Sequence, residues 1–261
     1  MNSFLNFFLL NMVMTLPRIF RILKQFTYLV KTKASIHVLI KFLVCGLRNR
    51  HIRALYLKDS SKFNSQISTM RLSTDWFSSN LPFWFSVFDE FNFSRLKDVK
   101  ALEIGSWEGL SGYFILNNFK NSNLTCVDTW SGSDEHKDLN TTKSLLNKIE
   151  FNFDYNLSKY KKRLVKYKGT SLSFFNCTQH KNYFDFIYVD GSHFSDDLLI
   201  DAIKCFGLLK VGGIMVFDDY FWRNYNDDRK NPAYAINTFL KYQAKSIKVV
   251  RFYYQIIIQK I

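Results

Sequence analysis

Proline is scarce in this sequence, with three residues in 261. That leaves little room for proline-rich linkers between several domains, and the length suits one α/β domain plus an appendage. Cysteine is also sparse. Cys45, Cys126, Cys177 and Cys205 are far apart, with no C-x-x-C pair and no histidine at zinc-site spacing. The pattern argues against a disulfide framework or a structural zinc and for buried thiols in a reducing compartment, hence a cytoplasmic protein. No apolar run is long enough to span a membrane. Phe4 to Leu16 is apolar apart from Asn6, Asn11 and Thr15 but stops at Pro17 and Arg18. A spanning helix needs about 20 apolar residues, and a signal peptide carries its positive charge before the apolar run. The sequon at Asn123 leads straight into an apolar strand, where a glycosylating enzyme would not reach it.

Acidic residues are nearly missing from the first 70 positions, where 11 Lys or Arg stand against Asp59 alone, a net of +10. The other 191 residues carry 25 basic against 21 acidic groups, only +4 of the total +14. A basic excess concentrated in one arm points to an anionic surface, whether lipid, nucleic acid or acidic glycan. Disorder is excluded by 47 % hydrophobic and 18 % aromatic residues.

In the arm, Leu16, Ile19, Phe20, Leu23, Thr27 and Val30 recur at helical spacing, while Arg18, Arg21, Lys24 and Lys31 avoid that stripe. The spacing predicts a basic amphipathic helix. A second apolar stretch, Ile36 to Leu47, is interrupted by His37 and Lys41 and ends at Arg48, Arg50 and Arg53. Two readings are open: peripheral contact of residues 1–70 with an anionic membrane, or an apolar stripe packed on the neighbouring domain. Residues 58–74, rich in Ser, Lys and Asn, read as a connector. Trp76 to Phe93 reads as a helix entering the main domain. The expected division is a helical segment over 1–74 and one domain over 75–261.

From Val99 onward strands and helices alternate. Strands are expected at Val99 to Ile104, Leu124 to Val127, Val165 to Tyr167, Phe184 to Val189, Ile214 to Phe217, Ile247 to Val250 and Gln255 to Gln259. Helices are expected at Leu110 to Phe119, about Asp138 to Ile149, Leu198 to Leu209 and Pro232 to Ala244, with Gly212 and Gly213 forming the turn before the fifth strand. Such alternation gives an α/β fold with a mostly parallel, Rossmann-like sheet and helices on both faces.

Ligands of such sheets bind beyond the carboxyl ends of the strands, and the unusual residues of this chain fall there. They are the loop Glu103-Ile104-Gly105-Ser106-Trp107-Glu108-Gly109, Asp128, Gly169 to Ser171, Asp190 to His193, and Asp218 with Asp219. The glycine pair is not the dinucleotide fingerprint G-x-G-x-x-G. Glycine at these positions permits a tight turn or a close ligand approach. Asp128, about 20 residues further, stands where a carboxylate can take both hydroxyls of a ribose. Three carboxylates at adjacent strand ends repel one another unless protonated or bridged by a cation, and oxygen ligands select Mg²⁺, Mn²⁺ or Ca²⁺ over zinc. His193, three residues after Asp190, is a candidate general base or further metal ligand. His136 is a weaker one.

The run from Phe184 to Tyr220, F-D-F-I-Y-V-D-G-S-H-F-S-D-D-L-L-I-D-A-I-K-C-F-G-L-L-K-V-G-G-I-M-V-F-D-D-Y, resembles the second half of the class I methyltransferases of the domain 24 group. It is also similar to the cation-dependent O-methyltransferases. Trp76-Phe77-Ser78-Ser79-Asn80 with Trp84, Glu103 to Gly109, and Cys126-Val127-Asp128-Thr129-Trp130 extend the likeness over 75–261; the first 70 residues have no counterpart. The resemblance implies a seven-stranded sheet with the last strand antiparallel and S-adenosylmethionine as cofactor. Glu103, Gly105, Ser106, Trp107 and Gly109 would face its methionine end and Asp128 its ribose. Thr170 or Ser171 would flank the adenine, with Asp190 also in the cofactor site. Asp190, Asp218 and Asp219 would hold Mg²⁺ or Mn²⁺, and Asp190 and His193 would serve catalysis. A hydroxylated small molecule or glycan is the expected acceptor. Methylation of nucleic acid, suggested by the basic arm and the run Lys159 to Lys168, ranks lower because no N-P-P-Y or K-D-K-E set is present. A non-catalytic membrane- or partner-binding module is the third alternative.

Overall fold

The computed structural model describes residues 16–132 and 142–261. The segment Phe4 to Thr15 and His136 therefore lie outside the described residues. The helices, numbered in chain order among these, are α1 Leu16–Lys31, α2 Ile36–Leu55, α3 Leu57–Gln66, α4 Leu81–Glu90, α5 Leu110–Asn118, α6 Thr142–Asn156, α7 Ser171–Cys177, α8 Ser195–Leu208 and α9 Pro232–Tyr242. The strands are β1 Val99–Ile104, β2 Ser122–Asp128, β3 Leu164–Lys168, β4 Phe184–Val189, β5 Leu209–Phe217, β6 Ile247–Phe252 and β7 Ile256–Lys260.

One sheet runs β3-β2-β1-β4-β5-β7-β6. Its first five strands are parallel, and β7 is antiparallel to both β5 and β6. The strand order reverses between β1 and β4, which opens a crevice at their carboxyl ends. Alternate residues feed two cores: Leu102, Ile104, Ile187, Val189 and Met215 face α8 and α9, while Ala101, Phe186, Tyr188 and Val216 face α4 and α5. This Rossmann-like architecture, with its helical N-terminal segment, is the one expected.

Three local expectations need correction. The connector over 58–74 is largely helix α3, because Phe63 packs edge-on against Phe114 at 5.2 Å and organises the polar residues around it. The helix over Trp76 to Phe93 begins only at Leu81, after a short 3₁₀ turn, with Pro82 in its first turn. Gly212 and Gly213 do not separate α8 from β5. Both lie inside β5, where Gly212 has φ +83° and the register against β4 jumps from Phe184↔Leu209 to Phe186↔Ile214. The glycines thus serve a bulge.

Helix α2 lies over edge strand β6, where Phe42 meets Phe252 at 5.4 Å and Asn49 donates to the Phe252 carbonyl at 3.0 Å. The tight turn between α1 and α2 is tied to α9, since Asn237 Nδ2 donates to both Thr32 O and Thr32 Oγ1 at 3.1 Å.

Candidate active site

The site begins with the turn out of β1. Gly105 has φ +85°, and a Cβ there would lie 2.0 Å from the Asp190 carbonyl oxygen. The demand for glycine is therefore already set by the tight turn and the neighbouring β4 loop, before any ligand arrives. Gly109, φ +82°, supplies the left-handed start of α5.

Asp128, at the end of β2, organises this turn. Its Oδ2 accepts from the backbone N–H groups of Ser106 at 2.7 Å and Trp107 at 2.8 Å, and its Oδ1 accepts from Trp130 N–H at 2.7 Å. About one of the four lone-pair directions of a carboxylate is left for a ligand. Glu103 does not reach the crevice. It is 0 % exposed, accepts from Ser111 Oγ and from Cys126 Sγ at 3.3 Å, and has its pKa raised by burial. It braces the loop from beneath.

A cavity of about 1120 Å³ opens above β1, β2 and β4. Of the expected residues, Gly105, Trp107, Asp128, Thr170, Ser171, Asp190, His193, Asp218 and Asp219 line it, and Glu103, Ser106 and Gly109 do not. Thr170 caps α7 by accepting from Ser173 N–H at 3.1 Å.

The acidic end of the cavity differs from the expected trio of carboxylates. The side chains that converge are Asp190, His193 and Asp219, whose ligand atoms all lie within 4.8 Å of one another. His193 Nε2 is 2.6 Å from Asp219 Oδ2, and the imidazole packs near Trp222 at 4.6 Å. Asp218 instead turns inward. Its Oδ2 accepts from Gln255 Nε2 at 2.6 Å and contacts the Tyr188 hydroxyl, and its Oδ1 accepts from Asp219 N–H at 2.7 Å. Tyr188 also lies 2.9 Å from Asp190 Oδ2. One phenol has a single proton to donate, so one of these carboxylic groups must carry its own proton. The electrostatics agree: burial and then the charge of Asp219 push Asp218 up to about 6, while burial and then Asp218 and Asp219 push Asp190 well above the carboxylate range. Gln255 extends the network to Trp84 Nε1, which donates to its Oε1 at 2.7 Å.

Sequence reasoning missed four contributors. Tyr188 is the polar member of an otherwise apolar strand end, a readable signal, whereas Gln255 carries none. Glu108 accepts from Ser73 N–H at 2.6 Å and from Asn152 Nδ2 at 2.7 Å, joining the loop to the chain before α4 and to α6. Asp201 lines the cavity and is pushed up to about 7 by burial. Its place on the apolar face of α8, three residues after Leu198 and four before Cys205, was a legible anomaly.

The basic run over 159–168 is largely engaged within the domain. Lys166 pairs with Glu150 and Asp154, Lys168 with Glu150, and Arg163 donates to the carbonyls of Leu116, Phe119 and Ser122.

Residues 102–220 match the family model of a methyltransferase domain. No curated protein matches the sequence. Among solved structures, the chain is similar to a proposed caffeoyl-CoA O-methyltransferase from Staphylococcus aureus, at 13 % identity over 82 % of this chain and 99 % of that one, with a TM-score of 0.52. It is also similar to the O-methyltransferase TomG from Streptomyces achromogenes, involved in tomaymycin synthesis and solved with S-adenosylmethionine, at 12 % identity over 78 % and 88 % of the chains and a TM-score of 0.50. MycE of mycinamycin biosynthesis, solved with Mg, S-adenosylhomocysteine and mycinamycin VI, is 16 % identical over 77 % of this chain and 54 % of its own, with a TM-score of 0.51. At these identities the likenesses bear on the fold. Taken together, the family match over residues 102–220 and the strand order give the chain an S-adenosylmethionine-dependent methyltransferase domain of the Rossmann-like, class I kind.

Proposed function

We propose that this methyltransferase acts on a hydroxyl oxygen of a small molecule or glycan, with a divalent cation held by Asp190, His193 and Asp219. The observation that carries the reading is the convergence of these three side chains at the acidic end of the cavity. Two carboxylates and an imidazole fit Mn²⁺, and less well Mg²⁺, which prefers an all-oxygen set. The solved complex of MycE with Mg supports the cation by analogy.

S-adenosylmethionine supplies an electrophilic methyl carbon, and a cation at this site supplies Lewis acidity towards the acceptor hydroxyl. The protein's own part is positional. Asp128 fixes the glycine turn, and its remaining acceptor capacity suits a ribose hydroxyl. Trp107 and Trp76, with ring centroids 5.3 Å apart, stand beside the turn and restrict water at the mouth. Thr170, Ser171 and Asp201 form the opposite wall, where an adenine would meet hydrogen-bonding groups. Asp219 orients His193; in the tautomer with the proton on Nε2, Nδ1 is the nitrogen that would serve the cation or, with no cation bound, take the acceptor proton as base. Displacement at a methyl group is in-line, so holding oxygen and carbon together in one cavity would account for much of the acceleration.

The test is transfer of labelled methyl from S-adenosylmethionine across a panel of hydroxylated acceptors, followed by mass spectrometry. Activity should fall at least a hundredfold in chelator and return with Mn²⁺, and Asp219→Asn should not be rescued. Full activity in chelator, with Asp219→Asn still inactive, would leave the Asp219–His193 pair as a metal-independent base. Methyl groups found on nitrogen or carbon would overturn the oxygen assignment.

A further inference from the structure

Helix α2 is apolar on two opposite sides. Val38, Phe42 and Cys45 enter the core beside β6, while Ile36, Ile40, Leu43 and Leu47 follow one another along the outer side and remain exposed, Ile36 at 73 % and Leu47 at 77 %. Helix α1 repeats the arrangement. Leu29, with Ile22 and Phe26, packs inward, and the outer side presents Leu23 and Val30, each more than half exposed. The sequence stripe thus marked the face that does not pack, and contact with the domain uses its opposite. A helix apolar all round is ordinarily buried all round, and scattered exposed aliphatics do not recur at i, i+4, i+7 and i+11.

The same two helices and the turn between them, residues 16–55, hold nine Lys or Arg and no acid. We propose that the outer faces of α1 and α2 form a docking surface for an anionic lipid bilayer. The aliphatic side chains enter the acyl boundary, and Lys24, Lys31, Lys41 and Arg48 remain at the level of the phosphates. Charge complementarity selects this occupant over the others. A second copy would bring like charges face to face. Residues 1–15 contain no acid to neutralise the rim. Nucleic acid would match the charge but leave Ile40, Leu43 and Leu47 without a partner. None of the described helices is long and apolar enough to cross a membrane, so the contact is peripheral. The proposal rests on these two helices alone and stands apart from the identity of the acceptor.

Flotation of the full chain with phosphatidylcholine vesicles, with and without phosphatidylserine, tests it. The chain should float with the anionic vesicles at low salt, and the bound fraction should fall steeply as salt rises. Ile40→Asp and Leu47→Asp should each lower partitioning about tenfold or more. As both side chains are exposed, the thermal midpoint of either variant should match the parent's. Failure to float on anionic vesicles would overturn the proposal, as would flotation that both variants leave unchanged. A dimer in sedimentation equilibrium that the variants dissociate, or retention of RNA without flotation, would assign the face to a second copy or to nucleic acid and would equally overturn it.

Discussion

The cavity rim and the N-terminal helices treat unusual residues in opposite ways. At the rim the costly groups are gathered and satisfied: Asp128 accepts three backbone N–H groups, and Asp218 is held by Gln255, Tyr188 and the Asp219 amide. On α1 and α2 the costly groups are aliphatic, and their outer faces meet water. A polar group out of place must be satisfied within the fold, because an unpaired one costs about 1–3 kcal/mol. An apolar surface has no such obligation and can wait for a partner. Asp128 and Asp218 are therefore held within one chain in a way that the arm's outer aliphatic groups are not.

The largest expected effect comes from breaking the rim's tightest approach. Gly105→Ala should cost about 3–5 kcal/mol in denaturant unfolding, because the new Cβ meets the Asp190 carbonyl at 2.0 Å. Binding of S-adenosylmethionine should be lost with it. A fully stable variant that merely fails to bind would return the glycine requirement to the cofactor.

The two sides of α2 should themselves differ. Phe42→Ala should lose about 3–5 kcal/mol, whereas Ile40→Ala, two residues away on the exposed side, should stay within about 0.5 kcal/mol. Equal losses in the two unfolding curves would mean that the outer face of α2 is covered within the chain.

How much of this was legible follows the same division. Strand ends are coded locally: short β-rich runs closed by Asp or Gly placed β1 and β4 at their observed boundaries and brought Asp128, Asp190 and Asp219 to one rim. Side-chain direction was not legible there. Adjacent Asp218 and Asp219 look alike in sequence, yet Asp219 takes φ +55° and faces His193, while Asp218 turns to Gln255, a partner 37 residues away. In the arm, periodicity showed amphipathic character but not which side would pack, because both sides of α2 are apolar. Long-range burial decided that, and periodicity does not encode it.

A smaller effect concerns Asp201 and carries a sign in pH. Its folded value of about 7 lies above the ordinary carboxylate value of 3.8. Below about pH 4 both folded and unfolded chains hold the proton, and there is no contribution. Between about 4 and 7 the unfolded chain releases it first, so Asp201 lowers stability as pH rises, with the full cost present above 7. Asp201→Asn should therefore stabilise the protein by up to about 4 kcal/mol at pH 8, with the gain vanishing near pH 4. Thermal unfolding across that range checks it; a pH-independent difference would place the cause in packing.

Whether one cavity holds S-adenosylmethionine beside the Asp190, His193 and Asp219 cluster is decided by a crystal structure of the chain with S-adenosylhomocysteine and Mn²⁺, with anomalous scattering recorded for the metal. The nucleoside should lie against Asp128 and the wall of Thr170 and Ser171, with an anomalous peak between Asp190, His193 and Asp219. A nucleoside bound elsewhere, or an occupied cofactor site with no anomalous peak at those three side chains, would contradict it.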